Sequence, residues 1–288
     1  MQLAILTLVR LRSMPNAVFQ PQPAHSVLFI TLDSCRYDSF IATDLPVLKK
    51  VGRVHRAMAP GNFTYSSHMA MFMGFTPGNA LSRETGVNPK FGKIFRMSQG
   101  GIAGKGKEYF LLEGRNIVDG FNRKGYHTLG TGAVGWFNPA TETAGNLITD
   151  FQDFYYHGDS CVTWTLPQQL RWLAEQLRAA SSPVFAFLNI GETHVPYYFE
   201  GASWSPKDNP CIPFGENNDA VESRRRQILA LEWVDTQLAP LLDAFADATV
   251  VVCADHGDCW GEDGLWEHGI SHPKVLEVPL LFRIGATE

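Results

Sequence analysis

The chain has 288 residues, 45% of them hydrophobic, and a formal net charge of −5. This apolar content can close a substantial core, which excludes a disordered chain and allows one large α/β domain or two small ones. Because the net charge is negative, we expect no nucleic-acid or anionic-membrane partner, and an anionic substrate would need local cations to hold it.

The amino terminus has a short apolar run that Arg10 and Arg12 follow. A secretory signal peptide carries its positive charge before the apolar region, so this order does not fit one. No window approaches the roughly 20 apolar residues that cross a bilayer. We therefore expect a cytoplasmic protein without a membrane span. Its five cysteines lack a paired metal spacing, and we expect them to be reduced thiols.

Strand and helix patterns then alternate along the chain. Short apolar runs predict strands at 26–32, 126–130, 183–189, 249–254 and 278–283. Helices are predicted at 66–72, 115–124, 164–180 and 220–245. The last helix contains Pro240, which should break or bend it. The alternation predicts an α/β domain over 26–288, with a mostly parallel central sheet and helices on both faces, after an N-terminal extension at 1–25.

Two segments lack this periodicity. Residues 77–110 are rich in Gly, Asn, Ser and Lys, which indicates a long surface excursion and a candidate lid. Residues 203–218 contain several prolines and glycines and are predicted to be a loop. We find no internal repeat and no low-complexity tract.

Metal-competent side chains follow three of the predicted strands. Asp33 ends the first strand, Asp255 and His256 end the 249–254 strand, and the segment 189–194 ends another. Ligands of open α/β sheets collect at the carboxyl ends of the strands. Carboxylates with imidazoles suit zinc or manganese, and the lack of a cysteine cluster favours a catalytic site over a closed structural one.

Each of these residues also has a purely structural interpretation. An aspartate after a strand is often a helix cap or turn former, so Asp33 alone does not indicate a site. Asp255 and His256 are costly to place after a very apolar strand without a role. His194 and His268, taken singly, are more typical of hydrogen-bonding histidines, and they gain weight only from the other candidates.

Four segments, in order, resemble the motifs of sulfatase-like enzymes of the alkaline phosphatase superfamily. Residues 28–38 resemble the opening strand and first metal aspartate, and 59–74 resemble the nucleophile segment, where Thr, Ser or modified Cys precedes a helix. Residues 192–197 resemble a His-x-Pro-Tyr element, and 254–280 resemble the carboxyl-terminal metal motif. The resemblance implies the alkaline phosphatase-like three-layer sandwich and one or two divalent ions, zinc or manganese.

Carried over by position, the resemblance implies that Asp33, Thr64, Asp255 and His256 bind the principal metal and that Thr64 is the nucleophile. His194 and His268 resemble the outer histidines of phosphoethanolamine transferases and lipoteichoic acid synthases, which contact the substrate phosphate or a second metal. They are therefore candidate ligands and candidate proton donors. Further candidates for substrate contact or extra ligation are Asn62, His68, Glu192 and His272.

The nucleophile segment departs from the sulfatase signature. That signature needs a Cys or Ser that becomes formylglycine, followed by Pro and Arg, where this chain has Thr64, Ser66 and His68. We therefore expect a metal-dependent phosphoester or phosphonate hydrolase, or a phosphotransferase, with a phosphothreonine intermediate and a small or biosynthetic phosphoester substrate. The alternatives are a catalytically silent metal-binding domain of the same fold and a sulfatase that does not use formylglycine. The oligomeric state is left open.

Overall fold

The computed structural model describes residues 17–74, 115–158 and 165–285. Its central sheet has seven strands in the order β2-β9-β6-β1-β5-β3-β4, and β7 pairs with β8 in a small second sheet. The strands are β1 Val27–Leu32, β2 His55–Met58, β3 His127–Gly132, β4 Asp153–Tyr156, β5 Val184–Ile190, β6 Thr249–Ala254, β7 Cys259–Trp260, β8 Trp266–Glu267 and β9 Glu277–Arg283.

Strand direction confirms the mostly parallel sheet. β1 pairs in parallel with β5 and β6, and β3 pairs in parallel with β4 and β5. Among the described strands of this sheet, only β9 runs in the opposite direction, so it pairs antiparallel with β6 on one side and with β2 on the other. The sequence pattern of β9 is the same apolar run as that of a parallel strand, so it could not show this reversal.

Helices connect and cover the strands. They are α1 Tyr37–Ala42, α2 Thr64–Met73, α3 Ile117–Arg123, α4 Glu142–Ile148, α5 Leu166–Ala179, α6 Ala220–Ala244 and α7 Pro273–Leu276. α6 continues through Pro240, so the break predicted there is wrong. None of the described helices is long and apolar enough to cross a membrane.

Alternate side chains of the central strands feed two separate cores. On one face of the sheet, Ile30 and Leu188 belong to a cluster with the buried leucines of α5 and α6. On the other face, Phe185 and Phe187 pack with Phe72 of α2 and with residues of α3 and α4. A strand places successive side chains on opposite faces. The result is the three-layer arrangement with helices on both faces that the sequence predicted.

The predicted boundaries of the N-terminal extension, the domain and the candidate lid stay predictions. The candidate lid at 77–110 lies outside the described residues, as does the first part of the N-terminal extension. In the described remainder of that extension, the main-chain N–H of Gln22 donates to the carbonyl oxygen of Ala244 at 2.7 Å. Phe19 packs against the core that α5 and α6 share with the sheet, so this part of the extension is joined to the domain.

Candidate active site

Neighbouring strands deliver polar residues to one point at the carboxyl edge of the sheet. Leu32, the last residue of β1, pairs in register with Ile190 of β5 and with Ala254 of β6. Asp33 and Asp255 come directly after these strand ends. Their main chains therefore leave adjacent strands at the same level, and the structure brings the two carboxylates together.

Asp33, Thr64, Asp255 and His256 form one buried cluster. The hydroxyl oxygen Oγ1 of Thr64 lies 3.4 Å from each carboxylate oxygen of Asp33 and 3.4 Å from Nε2 of His256. Nε2 of His256 lies 3.6 Å from Oδ2 of Asp255. Ligand atoms of the two aspartates and the histidine lie within 4.8 Å of one another. This donor set, two carboxylates and an imidazole beside a hydroxyl, suits a catalytic divalent metal.

The Asp255 carboxylate is buried and only half satisfied. Its Oδ1 accepts hydrogen bonds from the main-chain N–H groups of Ser34 at 3.1 Å and His256 at 2.9 Å. Its Oδ2 has no hydrogen-bond partner among the described residues. Burial, and then the charge of Asp33, raise the pKa of Asp255 well above its usual value. Two carboxylates buried side by side are unfavourable without a compensating cation, so the arrangement fits a bound metal ion.

His256 is held as a neutral imidazole. Its Nδ1 lies 3.0 Å from the carbonyl oxygen of Gly257, which can only accept a hydrogen bond, so Nδ1 carries the proton. Burial, and then the charge of His268, lower the pKa of His256 well below its usual value. Nε2, the ring nitrogen near Thr64, therefore has a free lone pair, which is the form of histidine that binds metals.

Thr64 owes its position to a tight loop before α2. A Cβ atom added at Gly61 would lie 2.3 Å from Oγ of Ser66 and 2.6 Å from the main-chain nitrogen of Ser67. Only glycine lets the loop pass this close to the first turn of α2. Thr64 is the first residue of that helix, so its hydroxyl lies beside main-chain N–H groups that have no partner within the helix.

His68 lies behind Thr64. Its Nδ1 is 2.7 Å from the carbonyl oxygen of Thr64, and its Nε2 is 2.9 Å from Oγ1 of Thr31. The ring packs edge-on against Phe137 and Phe187. Burial lowers the pKa of His68 to about 4, so it is neutral at physiological pH. In this position His68 supports Thr64 from behind, and its predicted contact with substrate stays a prediction.

A second polar group lies next to the first. The ring centroid of His268 is 4.3 Å from that of His256 and 5.2 Å from that of His194. Nδ1 of His268 lies 2.7 Å from Oδ1 of Asp258. Burial alone would lower the pKa of His268, but the hydrogen bond and charge of Asp258 outweigh it and raise this pKa to about 9. Ligand atoms of His256, Asp258 and His268 also lie within 4.8 Å of one another.

Two of the predicted extra ligands form hydrogen bonds with main-chain N–H groups at helix starts. Oε1 of Glu192 accepts a hydrogen bond from the main-chain N–H of Leu166, the first residue of α5, at 2.8 Å. Nδ1 of His272 accepts one from the main-chain N–H of Lys274 at 3.0 Å, and its Nε2 lies 3.3 Å from Oδ2 of Asp263. These contacts place Glu192 at the start of α5 and His272 at the start of α7. Oε2 of Glu192 has no hydrogen-bond partner among the described residues, and a ligand role for either residue stays a prediction.

Asn62 is buried and close to the second group. Its main-chain carbonyl oxygen accepts a hydrogen bond from the N–H of Gly269 at 2.8 Å, directly after His268 in the chain. This bond joins the loop before Thr64 to the loop that carries His268.

Sequence reasoning missed Asn189 and Asp258 as site residues. Nδ2 of Asn189 donates a hydrogen bond to Oδ2 of Asp33 at 3.2 Å. Asn189 ends the predicted strand at 183–189, so the strand-end argument that found Asp33 could have found it as well. Asp258 follows closely after Asp255, but its partner His268 lies farther along the chain, and no local pattern pairs them.

The family model described as Sulfatase matches residues 26–286 of the chain. No curated protein sequence matches the chain. The match to the Sulfatase model spans every strand of the central sheet and every residue of the cluster around Thr64.

Solved structures share this fold at low sequence identity. The C-terminal periplasmic domain of the phosphoethanolamine transferase EptC from Campylobacter jejuni has a TM-score of 0.60 at 16% identity, covering 92% of this chain and 80% of that chain. The C-terminal periplasmic domain of EptC from Escherichia coli, in complex with Zn, has a TM-score of 0.60 at 13% identity, with 95% and 77% covered. The phosphonate monoester hydrolase of Silicibacter pomeroyi has a TM-score of 0.60 at 15% identity, with 92% and 69% covered.

These likenesses show the fold, whereas the family match shows descent. Because the Sulfatase model covers nearly the whole chain, the chain belongs to the sulfatase family.

Proposed function

We propose that the chain is a metal-dependent phosphoester hydrolase or phosphotransferase with Thr64 as its nucleophile. The observation that carries this proposal is the position of the Thr64 hydroxyl, 3.4 Å from Asp33 and from His256, at the first residue of α2. An alcohol in contact with a buried carboxylate and a neutral imidazole suits nucleophilic attack better than a purely structural role.

The residues of the cluster fit zinc or manganese. Asp33, Asp255 and His256 would hold the principal ion, because their ligand atoms lie close together and Oδ2 of Asp255 lacks a hydrogen-bond partner among the described residues. The Zn complex of the related E. coli domain supports this assignment. His268, with His256 or His194 beside it, would hold a second ion or contact the substrate phosphate.

A bound divalent ion would supply positive charge that lowers the pKa of the Thr64 hydroxyl and offsets charge on the phosphoryl oxygens. Thr64, having lost its hydroxyl proton to solvent, then attacks phosphorus. Its Oγ1–P bond forms as the bond to the leaving oxygen breaks, and a phosphothreonine results. Main-chain N–H groups in the first turn of α2 would hold the phosphoryl oxygens. His194 or His268 would give a proton to the leaving oxygen, and water or an acceptor alcohol would release Thr64.

The residue type at position 64 favours phosphate over sulfate esters. The sulfatase signature has a Cys or Ser that is converted to formylglycine. Threonine cannot undergo this conversion. The fold is shared with phosphoethanolamine transferases and with a phosphonate monoester hydrolase, whose names describe chemistry at phosphorus. Both comparisons support the proposed substrate class.

The proposal is tested on purified protein by elemental analysis and by turnover of bis-p-nitrophenyl phosphate. We expect bound zinc or manganese and a rate that falls on the order of 10³-fold in Thr64→Ala. The matched control is Thr236→Ala, an exposed threonine of α6 whose hydroxyl donates only to the carbonyl oxygen of Glu232. Metal without turnover on a panel of phosphoesters would favour a silent domain, and faster turnover of p-nitrophenyl sulfate would favour a sulfatase.

A further inference from the structure

A buried chain of hydrogen bonds leads from Trp260 to His268. Nε1 of Trp260 donates to the hydroxyl of Tyr197 at 2.8 Å, and that hydroxyl donates to Oδ2 of Asp258 at 2.8 Å. Oδ1 of Asp258 lies 2.7 Å from Nδ1 of His268. Tyr197 and Asp258 are fully buried, so solvent does not compete for these bonds.

The chemistry of the partners fixes the direction of each bond. The indole N–H of Trp260 can only donate, so the hydroxyl of Tyr197 accepts from it and gives its own proton to Asp258. Both oxygens of Asp258 are then occupied, one by Tyr197 and one by His268. Since this carboxylate accepts from Nδ1 of His268, Nε2 is the ring nitrogen left for a ligand, as in carboxylate–histidine–metal arrangements.

The main chain of Tyr197 ties the same network to His194. Its N–H donates to the carbonyl oxygen of His194 at 2.6 Å. Tyr197 has a φ of +60°, in the left-handed region that residues other than glycine rarely adopt. Such a conformation persists only where surrounding contacts determine it. One residue thus joins the loop after β5, which carries His194, to the loop after β6, which carries Asp258.

Arg36 supports the far end of the chain. Its guanidinium carbon lies 4.0 Å from the ring centroid of Trp260, and its NH1 donates to the main-chain carbonyl oxygen of Asp258 at 3.2 Å. NH1 also lies 2.9 Å from Oε1 of Glu262. Trp260 is therefore fixed by a cation on its ring while its N–H is committed to Tyr197.

We propose that Tyr197 is a positioning residue. Together with Trp260 it holds the Asp258 carboxylate as the orienter of His268, so that His268 offers Nε2 to a second metal ion or to the substrate phosphate. Asp258 then acts through His268 and is not itself a ligand. The inference rests on the proposed function, because it specifies how the second group of the same site is held.

Tyr197→Phe tests this inference, since it removes one hydroxyl and leaves the ring. The matched control is Tyr126→Phe, which loses a single hydroxyl bond to the carbonyl oxygen of His25 away from the site. Zinc affinity is measured for each bound equivalent by competition with a fluorescent chelator, and KM and kcat are measured with bis-p-nitrophenyl phosphate. Circular dichroism and thermal unfolding check that each variant folds.

We expect the weaker zinc equivalent to bind about 10- to 100-fold less tightly in Tyr197→Phe, with the tighter equivalent unchanged. If the parent protein binds only one zinc equivalent, we expect Tyr197→Phe to raise KM by about tenfold or more. A more specific test introduces Tyr197→Phe into the His268→Gln variant. Because Tyr197 acts through His268, Tyr197→Phe should have little further effect there, whereas independent effects would add.

Zinc constants and kinetics of Tyr197→Phe that match those of Tyr126→Phe would overturn the inference, and so would full additivity with His268→Gln. If Tyr197→Phe does not fold, Trp260→Phe replaces it, because it removes the Nε1 donor, although with part of the buried indole volume, and keeps a ring beneath Arg36. The zinc measurement needs no turnover. A parent without phosphoesterase activity would therefore refute the proposed function while the positioning inference is still decided by zinc binding.

Discussion

The hydroxyl of Ser67 donates a hydrogen bond to the main-chain carbonyl oxygen of Asp255, 2.7 Å away. Both residues are buried. The bond joins α2, which begins with Thr64, to the end of β6, which delivers the carboxylate of Asp255. It is a direct link between the helix that begins with Thr64 and the candidate metal site.

Removal of this link should reduce both stability and metal affinity. Ser67→Ala leaves a buried carbonyl oxygen without its partner, and we expect a loss of about 1–2 kcal/mol in the free energy of unfolding. Urea denaturation and zinc titration measure the two effects. Ser39→Ala is the matched control, because Oγ of Ser39 is buried without a hydrogen-bond partner among the described residues. Equal losses in both variants would contradict the linking role.

Asp255→Asn should separate stability from metal binding. An asparagine keeps the Oδ1 acceptor for the N–H groups of Ser34 and His256 but removes the charge that is buried against Asp33. Because burial and Asp33 both disfavour the ionised carboxylate, we expect the variant to melt at a higher temperature than the parent in chelator. Zinc should then raise the melting temperature of the parent more than that of the variant.

Differential scanning fluorimetry in chelator and in added zinc measures both melting temperatures for the parent and for Asp255→Asn. An Asp255→Asn variant that is less stable than the parent in chelator would show that the two carboxylates are satisfied without a cation. An equal zinc response in both proteins would remove Asp255 from the metal site.

The strand ends could be predicted because their signals are local. The apolar runs before Asp33 and before Asp255 are contiguous in sequence, and a parallel sheet brings their ends to one edge. The exposed edge strand β2 has no such run, and the reversed direction of β9 depends on pairing with β6, so sequence periodicity showed neither.

The supporting residues of the site could not be predicted, because their roles depend on contacts between distant segments. His68 lies close to Thr64 in sequence, yet its ring nitrogens contact Oγ1 of Thr31 and the carbonyl oxygen of Thr64. Asp258 gains its role from Tyr197 and His268, which come from two different loops. A single sequence lists these residue types but does not show which ones meet.

Asp38 should give the protein a stability that declines in acid. Its carboxylate lies 2.7 Å from NH2 of Arg36 and 2.6 Å from Nζ of Lys274. Burial alone would raise the pKa of Asp38, but the hydrogen bonds and charges of Arg36 and Lys274 outweigh it and lower this pKa well below its usual value. A depressed folded-state pKa stabilises the fold above the unfolded-state pKa, near 3.8, and this contribution is lost as pH falls below that value.

Asp38→Asn should therefore lower the free energy of unfolding by about 1–2 kcal/mol at pH 7, and the difference from the parent should shrink as the pH falls below about 4. Urea denaturation across this range measures it. Asp243→Asn, which changes an exposed carboxylate of α6, is the control and should show a smaller difference at pH 7. A difference for Asp38→Asn that does not change with pH would point to lost packing instead of lost charge.

Gly257 permits the close approach of the loop after β6 to α7. Its N–H donates to the carbonyl oxygen of Val275 at 2.7 Å, and an added Cβ would lie 2.3 Å from the carbonyl oxygen of Lys274. Gly257→Ala must push these two main chains apart, and we expect a loss of about 1–3 kcal/mol in the free energy of unfolding. The shift would also move His256 and Asp258, which flank the glycine, so zinc affinity should fall with stability.

Gly120→Ala is the control for this substitution. Gly120 lies within α3, and an added Cβ would meet no atom within 4 Å. Alanine is the better helix former, so this variant should be neutral or more stable by up to about 1 kcal/mol, with parental zinc affinity. Gly257→Ala with unchanged stability would mean that α7 can move away freely. In that case the position of His256 is set by β6 and Ser67, and the contact with α7 is not required for the metal site.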